Sequence, residues 1–162
     1  MSRLGMLYAL TDAETEKLRA VPTANRYEYM LDEIEEKLFG TARACELDKA
    51  WFSIQYCLGG GSWHEEDAIP YNIVFGGEFL VDTDDEVITL KNHEEVARIA
   101  EYLRQNDLQE IIRNNFWNIA DNDFPYKDAN GFEHALYWCN NIPVFYDNSQ
   151  NNNYQVIFSV DL

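Results

Sequence analysis

The run Leu47-Asp48-Lys49-Ala50-Trp51-Phe52-Ser53-Ile54-Gln55-Tyr56-Cys57-Leu58-Gly59-Gly60 constrains the fold more than any other part of the chain. Trp51, Ile54 and Leu58 recur at spacings of three and four, which gathers them into one apolar stripe of a helix. Asp48 precedes them where a carboxylate can accept a hydrogen bond from a free N–H of the first turn. Gly59 and Gly60 follow where a helix end calls for a left-handed residue. The pattern predicts a capped amphipathic helix with Trp51 as a core anchor. The competing reading sets Asp48 and Trp51 in a binding cleft.

The remaining elements alternate between short strands and helices. Leu4 to Leu10 reads as a strand, and Thr11 and Glu14 as a capping box opening a helix that stops near Pro22. Asn25 is placed to cap a longer helix with Tyr29, Met30, Ile34 and Leu38 on its apolar side, ended by Gly40. Glu28, Asp32, Glu35 and Glu36 form its wet face. Residues 71–80 are strand-like but broken at Gly76-Gly77. Residues 81–86 read as an acidic turn and 87–90 as a short β segment. Asn92 caps a helix with Glu95 three residues on, and Asp107 caps another running to about Phe116. Residues 131–141 are helical in pattern, and Pro143 suits the first turn of a further helical piece. Residues 148–153 read as an asparagine-rich loop before a last strand, 154–160. Without a regular βαβ rhythm, the expectation is α+β: one compact domain over residues 1–162, several amphipathic helices packed with a small mixed or antiparallel sheet.

The Asp48–Trp51 block and its leucine–glycine exit resemble the signature of the YfbM-like family of uncharacterised bacterial proteins. Gly5-Met6-Leu7-Tyr8 resembles that family's first strand, and Ile73-Val74-Phe75-Gly76-Gly77 its central strand and glycine pair. His93 to Leu103, with Val96, Ile99 and Leu103 on one side, resembles a family helix. The stretch from Trp63 to Pro70 and the proline at position 143 depart from the pattern. The resemblance implies an α+β fold and no catalytic residue.

Composition narrows the function classes. The formal charge of −17 repels phosphates, which argues against direct nucleic-acid binding and against anionic membranes. It suits a basic protein partner, whose encounter it would steer. With 46% apolar residues the chain has material for a core, and it holds no run of about 18 apolar residues. The three cysteines, Cys45, Cys57 and Cys139, are odd in number and widely spaced, and Met1-Ser2-Arg3-Leu4-Gly5 does not read as a signal peptide. Reduced thiols in the cytoplasm are the expectation.

Candidate chemistry is sparse. His64-Glu65-Glu66-Asp67, beside Trp63 and after three glycines, gathers groups that could bind a divalent cation or move protons. No second histidine stands four residues after His64 or His93, so the zincin pattern is absent. Gly59-Gly60-Gly61 ends a helix instead of opening one and lacks the lysine of a phosphate loop. The acidic run 82–86 lacks the glycine and terminal glutamate of an EF-hand. No catalytic residue, metal ligand or cofactor is assigned. Loop aromatics rimmed by acids suit a protein interface: Trp63, Tyr71, Phe116, Trp117, Phe124 and Tyr126. Two readings follow. One is a protein-binding module, in its most specific form an immunity-type protein that caps a basic toxin. Its contact residues are drawn from Asp48, Trp51, Trp63, His64, Glu65, Glu66, Trp117 and Tyr126. The other is a small-ligand binder or enzyme with a pocket near Asp48, Trp51, His64 and Glu65. The oligomeric state is open.

Overall fold

The computed structural model describes residues 4–64, 68–124 and 127–162. Its frame is a five-stranded antiparallel sheet in the order β2-β1-β5-β4-β3. The strands are β1 (Gly5–Leu10), β2 (Ala44–Asp48), β3 (Glu78–Asp82), β4 (Glu86–Lys91) and β5 (Gln155–Asp161). β5 is central, pairing β1 from Met6↔Ser159 to Leu10↔Gln155 and β4 from Glu86↔Asp161 to Lys91↔Val156. With the strand pleat sending successive side chains to opposite faces, the sheet has two apolar sides. Leu7, Ala9, Val87, Val156, Phe158 and Val160 belong to one core, and Met6, Tyr8, Leu10, Ile88, Leu90 and Ile157 to the other. Both faces are covered, which is why β5 is buried on Ile157 as well as on the alternating Val156, Phe158 and Val160. The fold is α+β.

The second core is covered by α1 (Asp12–Ala20), α2 (Arg26–Tyr29), a π-helical segment (Met30–Glu35) and α3 (Glu36–Leu38), through Leu18, Met30, Ile34 and Leu38. Tyr8 is buried under this layer, and its hydroxyl meets no hydrogen-bond partner among the described residues. Burial, with Glu35 nearby, pushes its ionisation far above the ordinary tyrosine range.

The first core is covered by α4 (Trp51–Leu58), α6 (His93–Gln105), α7 (Leu108–Asn115), α8 (Ala129–Cys139) and α9 (Ile142–Asn151), with the short α5 (Ile69–Asn72) between α4 and α6. Most predicted caps form. Thr11–Glu14 and Asn92–Glu95 are complete capping boxes, and Asp107 accepts from Gln109 N–H and Glu110 N–H. Asn25 does not cap: its φ/ψ is helical and its side chain makes no cap bond, because a 3₁₀ turn, Thr23–Asn25, already leads into α2. Pro143 lies in the first turn of α9, as the sequence indicates, and α8 stops before it. The asparagine-rich stretch is not a loop; α9 runs to Asn151 and the chain turns at Asn153, with φ +59°.

The largest departure is at Ile73-Val74-Phe75. These residues form no strand; they follow α5 in an irregular turn ended by Gly76 and Gly77. Their main chain is satisfied by side chains from three separate elements instead of a ladder. Gln55 Nε2 donates to Tyr71 C=O at 3.2 Å, and Phe75 N–H donates to Gln55 Oε1 at 3.2 Å. Tyr146 Oη donates to Ile73 C=O at 2.5 Å. Lys91 Nζ donates to Val74 C=O, and to Thr89 Oγ1 at 3.0 Å. Gly77 is needed there: its φ is +126°, and a Cβ would meet the Leu90 carbonyl oxygen at 2.5 Å.

Candidate functional site

The fold separates the residues that the sequence groups into one pocket. Asp48 does not cap α4. It closes β2 with φ +51°, and its Oδ1 accepts from Lys49 N–H at 2.6 Å. The residue before the helix is Ala50, which offers no side-chain cap. The strand ends in a left-handed residue, so the helix starts one short turn later than the cap pattern implies. This strand, with Asp48 as its end, is the one the sequence pattern does not mark. The other carboxylate oxygen of Asp48 lies 3.8 Å from His134 Nε2 of α8.

Trp51 is the core anchor, only 3% exposed. It stacks on Phe75 at 6.1 Å, 17° from coplanar, and its ring centre lies 5.5 Å from those of Phe52 and Phe158. Gly5 gives it room, since a Cβ there would come within 2.7 Å of the indole. Trp63 belongs to the same aromatic cluster. It is half-buried, edge-on to Phe75 at 4.9 Å and 6.4 Å from Trp51. Neither indole is available to a ligand in the manner of an open cleft.

His64 is exposed, past the other end of α4 from Asp48. An eight-residue helix spans about 12 Å, which sets the two at opposite ends of α4. His64 lines a cleft of about 250 Å³ with Gln55, Leu58, Gly59, Ala68, Pro70 and Tyr71. Glu65, Glu66 and Asp67, the other members of the predicted cluster, lie outside the described residues, as does Tyr126. Among the described residues no three His, Cys, Asp or Glu side chains come together as metal ligands. All three cysteines are buried free thiols, and desolvation pushes each up to about 12, which removes the thiolate a nucleophile needs.

The loop aromatics divide. Phe116 is fully buried, and Phe124 is half-buried, 5.9 Å from Phe116 and 6.2 Å from Phe52. Trp117 is 49% exposed, resting on Phe116 and on Phe132 of α8. Sequence reasoning missed what lies beyond it. Tyr137 on α8 is 70% exposed and Val144 on α9 is 56% exposed. Between them half-buried Trp138 stands edge-on to Tyr137 at 5.0 Å and to His134 at 6.2 Å. The available signal was the pair Tyr137-Trp138 in a helix whose inward positions are Ala135 and Cys139. Two large aromatics off the buried stripe leave an apolar surface.

This surface borders β2, at the edge of the sheet. A groove of about 320 Å³ runs between them, lined by Ala44, Cys45, Glu46, Trp138, Val144 and Phe145, among others. A second hollow of about 250 Å³ shares Ala42 and Asn148 with it and reaches Arg43 and Tyr154. Arg43 is engaged there. Its Nε donates to Ala9 C=O at 3.0 Å, its guanidinium pairs with Glu14, and it lies 4.7 Å over the Tyr154 ring.

No curated protein matches the chain. Among solved structures it is similar to a protein of unknown function, YfbM from Escherichia coli. The two share 18% identity and superpose with a TM-score of 0.60 over 97% of this chain and 99% of that one, a likeness that concerns the fold alone. A family model, described as a domain of unknown function, matches residues 1–159. With nearly the whole chain matched, it belongs to the DUF1877 family.

Proposed function

We propose that the protein is a small acidic module that binds a basic protein partner in the cytoplasm. The observation that supports this best is the apolar surface of Tyr137, Trp138 and Val144, with Trp117 exposed against Phe132 of α8, presented by a chain of net charge −17. Large aromatics in a polar rim are the usual anchors of interfaces, and the acidic field speeds encounter with a basic surface. Asp48, 3.8 Å from the His134 that stands beside Trp138, gives that surface an acidic border. In its most specific form the module is immunity-type, masking the basic site of a toxin.

The test is retention of proteins from the native cell on the immobilised full chain, beside a Trp117→Ala/Tyr137→Ala variant. Basic proteins are expected at low salt, released at high salt and not held by the variant. If nothing basic is retained at low salt, the reading fails.

The cleft at His64 favours a second reading, a small-ligand site built on His64, Gln55 and Tyr71, without Asp48 and Trp51. A thermal-shift screen with metals and metabolites addresses it, since a ligand at 100 times its Kd adds about 2.7 kcal/mol. No shift with any class would remove it.

A further inference from the structure

The edges of the sheet are treated differently. The register slips once at each edge, between Phe79 and Val81 on β3 and between Gly5 and Met6 opposite the end of β2, but on β3 Arg26 also donates to the Leu80 carbonyl at 2.9 Å and Arg19 pairs with Glu78. Such devices close an edge to further pairing. On β2 the register sets Cys45 opposite Leu7 and Glu46 opposite Met6, and Ala9 N–H donates to Arg43 C=O. In an antiparallel pair, bonded and non-bonded positions alternate. Cys45 and the Arg43 carbonyl therefore turn toward β1, while Ala44 and Glu46 turn their main chain outward. Ala44 N–H is taken by Thr41 C=O at 3.1 Å. By that alternation the Ala44 carbonyl and both main-chain groups of Glu46 face away from β1, on the side where the sheet has no further strand.

We propose that the free edge of β2 takes up an extended, basic segment of the partner as a sixth strand, with its alternate side chains entering the groove against Trp138 and Val144. The inference rests on the protein-binding reading and specifies its mode. Strand addition draws affinity from the main chain and selectivity from pockets for alternate side chains. Both parts are present here, edge and groove side by side.

Charge selects the occupant. The strand carries Glu46 and Asp48; Arg43 is engaged elsewhere, and His134 faces Asp48. Lys49, just beyond the strand, is the neighbouring counter-charge. A second copy would bring another −17 against the first and set like charges edge to edge, which disfavours self-pairing. A lysine- or arginine-bearing segment meets Asp48 at one end and the Trp138 ring beside it.

The probe is a random peptide library displayed against the full chain, with the best binder synthesised and titrated while backbone amides are followed by NMR. The expected binders alternate apolar and basic residues, and they protect the Glu46 amide and shift the Trp138 and Val144 signals. Methylating the peptide nitrogens at alternate positions should abolish binding in one register and spare it in the other. Glu46→Pro, tolerable at an edge, should weaken binding by about tenfold or more, whereas Glu46→Ala, which keeps the N–H and loses only the carboxylate, should weaken it by clearly less. Neutral or acidic binders, signals mapping away from β2, indifference to methylation, or no binder at all would overturn the inference. So would a concentration-dependent dimer that Glu46→Pro dissolves, since the occupant would then be a second copy. If basic proteins from the cell are retained equally by wild type and Glu46→Pro, strand addition is wrong while the protein-binding reading stands.

Discussion

Lys91 has no exposed surface, and among the described residues its amine is bonded to a carbonyl and a hydroxyl. Desolvation pulls its pKa well below the ordinary lysine value, and Glu95 opposes this only in part. Between that lowered value and the unfolded value near 10.4, the unfolded chain holds a proton that the native state lacks. Stability contributed at this residue therefore rises with pH across that window. The buried thiols act in the opposite sense. Held up to about 12, they keep protons that the unfolded chain sheds above roughly 8.5. Comparison with Lys91→Met cancels the thiols. Wild type should gain stability on the variant as pH is raised from neutral toward about 9.5, read by chemical denaturation. A difference that stays flat with pH would mean the amine is charged in place.

At the scale of elements, local chemistry was legible and long-range satisfaction was not. Thr11–Glu14, Asn92–Glu95 and Asp107 announced their helices because a cap acts within three residues. Asn25 looked the same in sequence, but a preceding 3₁₀ turn holds it in a helical conformation. The two positions should respond differently to alanine. Asn92→Ala should cost about 1 kcal/mol by thermal denaturation, and Asn25→Ala no more than about 0.5 kcal/mol. Ile73-Val74-Phe75 misled because its β-prone residues satisfy their main chain through Gln55, Lys91 and Tyr146, which lie 17 or more residues away. β2 was hidden for a related reason. Ala44-Cys45-Glu46-Leu47-Asp48 is short, and Asp48 resembled a cap, so strand and cap competed for one residue. The candidate surface was half readable. Trp117 was found, but Tyr137, Trp138 and Val144 became a surface only when α8 and α9 were placed beside an unpaired edge.

For the whole molecule, charge is the dominant fact. The described ion pairs are mostly between half-exposed side chains, and such pairs contribute little each. With 29 acidic and 12 basic residues, most carboxylates have no cation to meet and repel one another. Raising ionic strength from about 0.01 M to 0.15 M shortens the screening length from roughly 30 Å to 8 Å. The melting temperature should rise over that range at neutral pH, and a fall would show that the ion pairs outweigh the self-repulsion. The same screening should weaken capture of a basic partner, so stability and binding should move in opposite directions with salt.

The central position of β5 bears on synthesis. The strand that joins the two strand pairs is the last of the five to leave the ribosome. Until it emerges, β1–β2 and β3–β4 are separate ribbons with uncovered apolar flanks, and domains of this kind complete their folding only as a unit. A nascent chain stalled before residue 155 would therefore lack the seam of its sheet and be a natural client for chaperones.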